Sequence, residues 1–240
     1  MNNFIIQPIR LGTIRRKKEN MSYQCGVKDV MDFPLISYYL EGASHKIVVD
    51  TGGPSPDGVK WQPYFRTENE SPDKALHIIG IAPEEIDIVI LTHLHWDHSS
   101  NNHLFSGARF IVQKKEYDYL LAPEPEVKAG YDLDLLLGTE YEFVDGDCSI
   151  VPGVSVVLAP GHSTGMQCVV VETEGGKYIL GGDLITLFEN WEAEPHIPNG
   201  IYYDLDLILE SLEKINRIPG TVLPGHDQEV FNRSLMYPPN

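Results

Sequence analysis

The chain has 240 residues, 42% hydrophobic and 22% charged, close to soluble globular averages, which excludes disorder and fibrous repeats and suits one core. A formal net charge of −17 works against binding nucleic-acid phosphates or anionic lipid, and no apolar run approaches the roughly 20 residues of a membrane-spanning helix. Cys25, Cys148 and Cys168 form no CxxC pair and leave an odd thiol. The basic RRKK at 15–18 follows an apolar stretch, the reverse of a secretory signal, so a reducing, cytoplasmic location is expected.

In chain order, residues 35–40 and 46–49 read as an antiparallel hairpin around the turn at 41–44, ending at Asp50-Thr51-Gly52-Gly53. Residues 54–73 are rich in Pro, Gly and aromatic residues without a period, a long loop of the kind that lies over a pocket. A helix from Ser71-Pro72-Asp73 to about Ile79 precedes an apolar strand at 86–91, which delivers its end to Thr92-His93. A strand at 108–113 leads into a helix at 114–121, and the leucine-rich 131–137 suggests another. Short strands follow at 141–144, 154–158, 166–172 and 177–182, bounded by Gly, Pro or Asp. A helix at 204–217 carries an apolar stripe at 205, 208, 209, 212 and 215, and a last strand at 221–223 ends at Pro224-Gly225-His226. This mixture predicts an α+β chain, residues 1–240 forming one domain of two face-to-face sheets covered by helices.

The central motif is His93-Leu94-His95-Trp96-Asp97-His98, four ligand-type side chains in six residues directly after a buried strand. Alternate residues of an extended segment point the same way, so His93 and His95 can reach one metal while Asp97 and His98, past the bend, face a second. His162, Asp183 and His226 each follow a strand and have glycine beside them, which permits the close backbone approach that a crowded cage requires. Singly, each reads as an ordinary turn residue. Beside the six-residue motif they read as ligands.

These residues resemble the metallo-β-lactamase superfamily, whose HxHxDH motif and later His, Asp and His match positions 93, 95, 97, 98, 162, 183 and 226 in order. The resemblance runs from the hairpin before Asp50 to His226. It implies an αβ/βα sandwich of two mixed sheets flanked by helices. His93, His95 and His162 would hold a first metal, Asp97, His98 and His226 a second, with Asp183 bridging them and Asp50 positioning the ligand loop. Two such ions can share a hydroxide made nucleophilic near neutral pH and stabilise an oxyanion, with Asp97 orienting it or receiving its proton. Asp97 and Asp183 are thus the catalytic carboxylates. Zinc suits the ligand set, and iron, manganese or cobalt suit it nearly as well.

Within the superfamily, Asp183 and His98 are unlike the cysteine-containing β-lactamases, and His95 is unlike the flavodiiron reductases. A glyoxalase II type thioesterase fits the ligands, but only 14 residues follow His226, too few for its glutathione-binding segment. LTHLHWDH, PGHSTG and LPGHD look most like the N-acyl homoserine lactonase branch. That implies a quorum-quenching hydrolase that opens a lactone, with thioesters or other cyclic esters and amides as alternatives and a non-catalytic metal-binding module as the rival from another class. One departure stands out: Thr186 occupies the position, three after Asp183, where that branch commonly has a tyrosine. Tyr64, Tyr202 and Tyr203 are candidate substitutes. A small ester or lactone is the expected partner, with access between 54–73 and 190–200, and a homodimer is left open. Trp61, Phe65, Phe188 and Trp191 are candidates for an apolar wall. His45, His77 and His103 read as structural or exposed, and His196 lies within the 190–200 loop that should border the pocket.

Overall fold

The computed structural model describes residues 3–42, 44–55, 63–124, 128–234 and 236–238. Strand β1 (Phe4–Lys17) pairs antiparallel with β2 (Val30–Gly42), which forms the expected hairpin with β3 (His45–Val49), Leu40 opposite Ile47 and Tyr38 opposite Val49. The sequence reading had no strand before residue 35. In β1 the register shifts between Arg10 and Thr13, beside Gly12, and the strand ends in cations, so no single alternation runs its length.

The short β4 (Tyr64–Phe65) adds to the outer edge of β1. On the other side, β5 (Ile88–Ile90), β6 (Arg109–Gln113) and β7 (Tyr141–Val144) run parallel, giving the order β4-β1-β2-β3-β5-β6-β7. Parallel neighbours need crossovers. Helices α1 (Pro72–Ile78), α2 (Trp96–Ser99), α3 (Lys114–Leu120) and α4 (Leu133–Leu136) lie in those connections.

The second sheet comprises β8 (Cys148–Val151), β9 (Val154–Leu158), β10 (Gln167–Thr173), β11 (Gly176–Leu180) and β12 (Thr221–Leu223), ordered β12-β11-β10-β9-β8. It is antiparallel except for the parallel β11/β12 pair, which α5 (Phe188–Glu192) and α6 (Leu205–Asn216) connect. Helix α7 (Glu229–Arg233) follows. Strand β8 and helices α5 and α7 were not expected from the sequence.

Alternation within strands sorts the side chains into layers. Ile47, Val49, Ile88 and Ile90 of the first sheet meet Val154, Val156, Val169 and Leu180 of the second. Val48, Val89 and Val112 face outward under Leu76 of α1, Leu120 of α3 and Leu136 of α4, while Val157, Val170 and Val222 are covered by Ile208, Leu212 and Ile215 of α6. The αβ/βα sandwich is therefore present. Because the strands are buried on both faces, they read as continuous apolar runs. Leu209, counted in the α6 stripe, is instead exposed, one position off the buried face formed by Ile208, Ser211, Leu212 and Ile215.

Candidate metal centre

Parallel pairing brings the ligand-bearing strand ends together. Asp50 follows β3 and His93 follows its parallel neighbour β5, with Asp50 N–H donating to Ile90 O at 3.0 Å. Asp183 and His226 likewise follow β11 and β12, tied by Gly181 N–H to Leu223 O at 2.9 Å and His226 N–H to Thr186 O at 3.0 Å. His162 lies in the β9–β10 turn, and Gln167 N–H donates to Thr92 O at 2.9 Å, joining the sheets beside the site. Gly161 (φ +133°) permits this turn to press on α6, since a Cβ there would fall on the backbone nitrogen of Ile208.

The seven expected ligands converge. Three overlapping groups, His93/His95/His162, His93/His98/Asp183 and Asp97/His98/His226, each have their ligand atoms within 4.8 Å of one another. His93 lies at ring-centroid distances of 4.5 Å from His95, 4.8 Å from His162 and 4.2 Å from His98. Asp183 Oδ1 is 2.8 Å from His226 Nε2 and 3.1 Å from His98 Nε2, and its Oδ2 is 3.3 Å from His162 Nε2, so one carboxylate touches both halves of the cluster. All are buried except His95, which is partly exposed.

Hydrogen bonds behind the cluster orient the rings. His98 Nδ1 donates to Asp50 Oδ2 at 2.8 Å, His226 Nδ1 to Pro34 O at 2.9 Å, His162 Nδ1 to Ile201 O at 2.8 Å and His93 Nδ1 to Thr92 Oγ1 at 3.0 Å. Each Nε2 is left facing inward, as outer partners of metal-bound histidines arrange it. His93 Nε2 is buried without a hydrogen-bond partner, which is costly unless a further group engages it. Imidazoles and carboxylates in two triads, linked through the His93/His98/Asp183 group, fit two divalent ions.

The electrostatics separate the two halves. Withdrawal from water and the neighbouring His98, His95 and His162 hold His93 well below the usual imidazole range. Withdrawal from water and His162 push His95 down to about 3. At His98, burial opposes the charge, but Asp183 and Asp50 outweigh it and raise the ring well above its ordinary value. Burial likewise opposes ionisation of Asp183, yet His226, His98 and His162 hold it well below the carboxylate range. Asp97 is lowered as well, with His98 and Arg16 overcoming burial. The Arg16 guanidinium lies 3.9 Å from Asp97 Oδ2.

Other sequence candidates take structural places. Phe188 packs between the sheets under Arg233, 3.6 Å from its ring, and Trp191 stacks on His196 at 4.1 Å, so both aromatics and that histidine act as packing anchors. Phe65 is exposed beneath Arg15, and Trp61 lies outside the described residues. Tyr64 is buried, edge-on to Trp96 at 5.4 Å, with its hydroxyl turned to Leu11 O and Gly53 O. Tyr202 packs edge-on against Tyr23 and Tyr203 against Tyr119, both partly open to solvent. Thr186 is fully buried and donates to Met21 O at 2.6 Å, which turns it toward the N-terminal segment. Sequence reasoning missed Asn199, whose amide donates to Asp183 O at 2.8 Å. An asparagine in an irregular stretch gave no signal beyond its place near the bridging Asp.

An αβ/βα sandwich with a buried His/Asp cage at converging strand ends defines a binuclear metal-centre protein. The metallo-beta-lactamase superfamily model matches residues 35–230, and the chain belongs to that superfamily. It is 30% identical to the N-acyl homoserine lactonase AiiA of Bacillus thuringiensis subsp. kurstaki over 226 residues, 87% of each chain. A solved structure of a B. thuringiensis AiiA variant with N-decanoyl-L-homoserine at its active site superposes with a TM-score of 0.85, at 28% identity over 97% of each chain. An N-acyl homoserine lactone hydrolase with N-hexanoyl-L-homoserine bound at its catalytic metal centre gives the same TM-score, at 27% identity over 97% of each chain.

Proposed function

We propose that this chain, read as one domain, is a binuclear metal-dependent hydrolase that opens lactone rings. The observation that carries the reading is the buried convergence of His93, His95, Asp97, His98, His162, Asp183 and His226, in a chain whose relatives are N-acyl homoserine lactonases. His93, His95 and His162 would hold one ion and Asp97, His98 and His226 the other, with Asp183 shared. Zinc is the first choice, and a dizinc lactonase is among the structural neighbours. Bound divalent ions would supply an activated water and polarise the scissile carbonyl.

The protein's own groups do the rest. Asp97, at the edge of the cluster, receives the proton of the attacking water, and His98 and Arg16 keep that carboxylate ionised until then. A cleft of about 420 Å³, lined by Arg15, Arg16, Lys17, Asn20, Pro63 and Ile201, leads toward this edge, and the Ile201 carbonyl holds His162. Of the two segments expected to flank access, 54–73 contributes Pro63 to this cleft, and its other side is formed by the N-terminal strand and Ile201 rather than by 190–200. Thr186 is turned away, so no hydroxyl from that position reaches the substrate carbonyl, and lactones other than acyl homoserine lactones become equal candidates. We place the enzyme in the cytoplasm, acting on small molecules as a quorum-quenching lactonase, without a nucleic-acid or membrane partner. Among the described residues no helix is long and apolar enough to cross a membrane.

A panel of acyl homoserine lactones, simple γ- and δ-lactones, thioesters and phosphodiesters, run on one metal-loaded preparation, tests this. Lactones should give the highest kcat/KM. A glutathione thioester or phosphodiester favoured by more than about tenfold, roughly 1.4 kcal/mol of transition-state preference, would end the lactonase reading.

A further inference from the structure

Glu116, in the first turn of α3, is fully buried although it belongs to neither triad. Its Oε1 accepts the Leu94 N–H at 3.1 Å and the Tyr131 hydroxyl at 3.2 Å. Its Oε2 accepts the Gly165 N–H at 2.8 Å and the Thr164 hydroxyl at 3.5 Å. Leu94 sits between His93 and His95, and Thr164 and Gly165 lie just past His162. One carboxylate therefore ties together the two distant segments that supply all three imidazoles of the first triad. Tyr131, held by the same oxygen, packs edge-on against His95 with ring centroids 4.9 Å apart. The approach is built into the backbone as well, because a Cβ at Gly165 would fall on the amide nitrogen of Glu116.

A carboxylate is costly to bury, and a leucine would fill a packing position without that penalty. What leucine cannot do is accept hydrogen bonds from two backbone amides on different turns and fix both at once. The other triad hangs elsewhere: His98 on Asp50 and His226 on Pro34 O.

We infer that Glu116 is a positioning residue for the first metal site, setting the convergence of His93, His95 and His162 while leaving the Asp97/His98/His226 site to its own supports. This rests on the reading of those three histidines as metal ligands. The dependence on Glu116 is a separate claim about this chain's own hydrogen bonds.

The test is a cobalt(II) titration of the metal-free full-length protein, wild type and Glu116→Gln, followed by visible absorption and metal analysis, with circular dichroism and a thermal melt as the folding check. Glutamine offers one acceptor oxygen and an NH2 group that faces a backbone N–H, so one of the two turns loses its anchor. Wild type should bind two ions. Glu116→Gln should stay folded, bind the first-site ion about 10- to 100-fold more weakly with an altered cobalt band, the scale of outer-partner loss, and keep the second site within about twofold. A variant with wild-type affinity and spectrum at the first site overturns the inference, and so does equal weakening of both sites, which marks a general structural role. Wild type that saturates below two ions overturns the binuclear reading instead, since its Glu116 is intact. Should Glu116→Gln not fold, Tyr131→Phe removes one donor and leaves both backbone anchors. A smaller change confined to the first site supports the inference, and an unchanged site overturns it.

Discussion

Asp50 Oδ2 accepts the Nδ1–H of His98 at 2.8 Å, and its two oxygens also accept the Thr92 hydroxyl at 2.8 Å and the Thr92 N–H at 2.7 Å. One buried carboxylate thus fixes both the ring of a proposed metal ligand and the start of the loop that carries it. It does so from a residue at φ +65°, a left-handed conformation that Asp and Asn tolerate better than most side chains. Asp50→Asn should accordingly keep the backbone and the fold while weakening metal at the His98 site by about 10- to 100-fold. Metal analysis after dialysis against graded chelator, beside a thermal melt, checks it. Wild-type retention of both ions would remove Asp50 from this role.

Turnover should depend on the cluster and on no thiol. His95→Ala or Asp183→Asn should lower kcat by at least about 100-fold, the scale for losing a group that acts in the transition state, whereas Cys148→Ser should leave it near wild type. Cys168 is buried, and that burial pushes its thiol up to about 12. A raised pKa keeps the neutral, unreactive form at pH 8, so iodoacetamide should label native Cys168 more slowly than the half-buried Cys25 and Cys148. Peptide mapping over time decides this, and fast labelling of Cys168 in folded protein would contradict the packing.

The convergence of the seven side chains was legible because their chemistry is concentrated: HLHWDH places four ligand-type side chains in six residues, and glycines mark the turns at His162, Asp183 and His226. Strands such as Val154–Leu158 and Thr221–Leu223 were legible because a doubly covered sheet writes itself as a short apolar run. Phe4–Lys17 was not, since its register shift and cationic end break the alternation a strand normally shows. Glu116 was invisible for a different reason. Within a charged stretch at the start of a helix it reads as a solvated side chain, and only the arrival of Leu94 and Gly165 from distant segments makes it a buried anchor. Trp191 misled in the opposite sense, because it sits in the expected pocket loop at 190–200 yet packs against the core under α6.

Gly161 ties stability to ligand placement. At φ +133° it permits the His162 turn to rest against the start of α6, just before which Tyr203 and Asp204 donate their N–H groups to Gly161 O at 2.7 and 2.9 Å. Gly161→Ala adds a methyl group in a disfavoured conformation and drives it into α6. The expected loss of folding stability is about 1–3 kcal/mol, as for an overpacked core. Urea denaturation of the metal-free protein measures it without confusion from metal loading, and an unchanged midpoint would mean that α6 yields freely.

Metal uptake should release protons unevenly between the two sites. His93, held well below the usual imidazole range, and His95, at about 3, are neutral near pH 7, so their lone pairs are available without losing a proton. His98 is raised well above its ordinary value by Asp183 and Asp50, so near pH 7 it carries a proton that must leave before the ring can act as a ligand. The sign follows for each site. Below the raised pKa of His98, affinity at the second site should climb with pH, by close to tenfold per unit where one proton is displaced, while His93 and His95, both held low, add no such slope at the first site near pH 7. Calorimetric titration of the metal-free protein in two buffers of different ionisation enthalpy counts the protons directly. The His98 site should show the larger buffer-dependent heat. If the first site releases as many protons as the second, or the second releases none, then the charge on His98 is not what Asp183 and Asp50 make it in this fold.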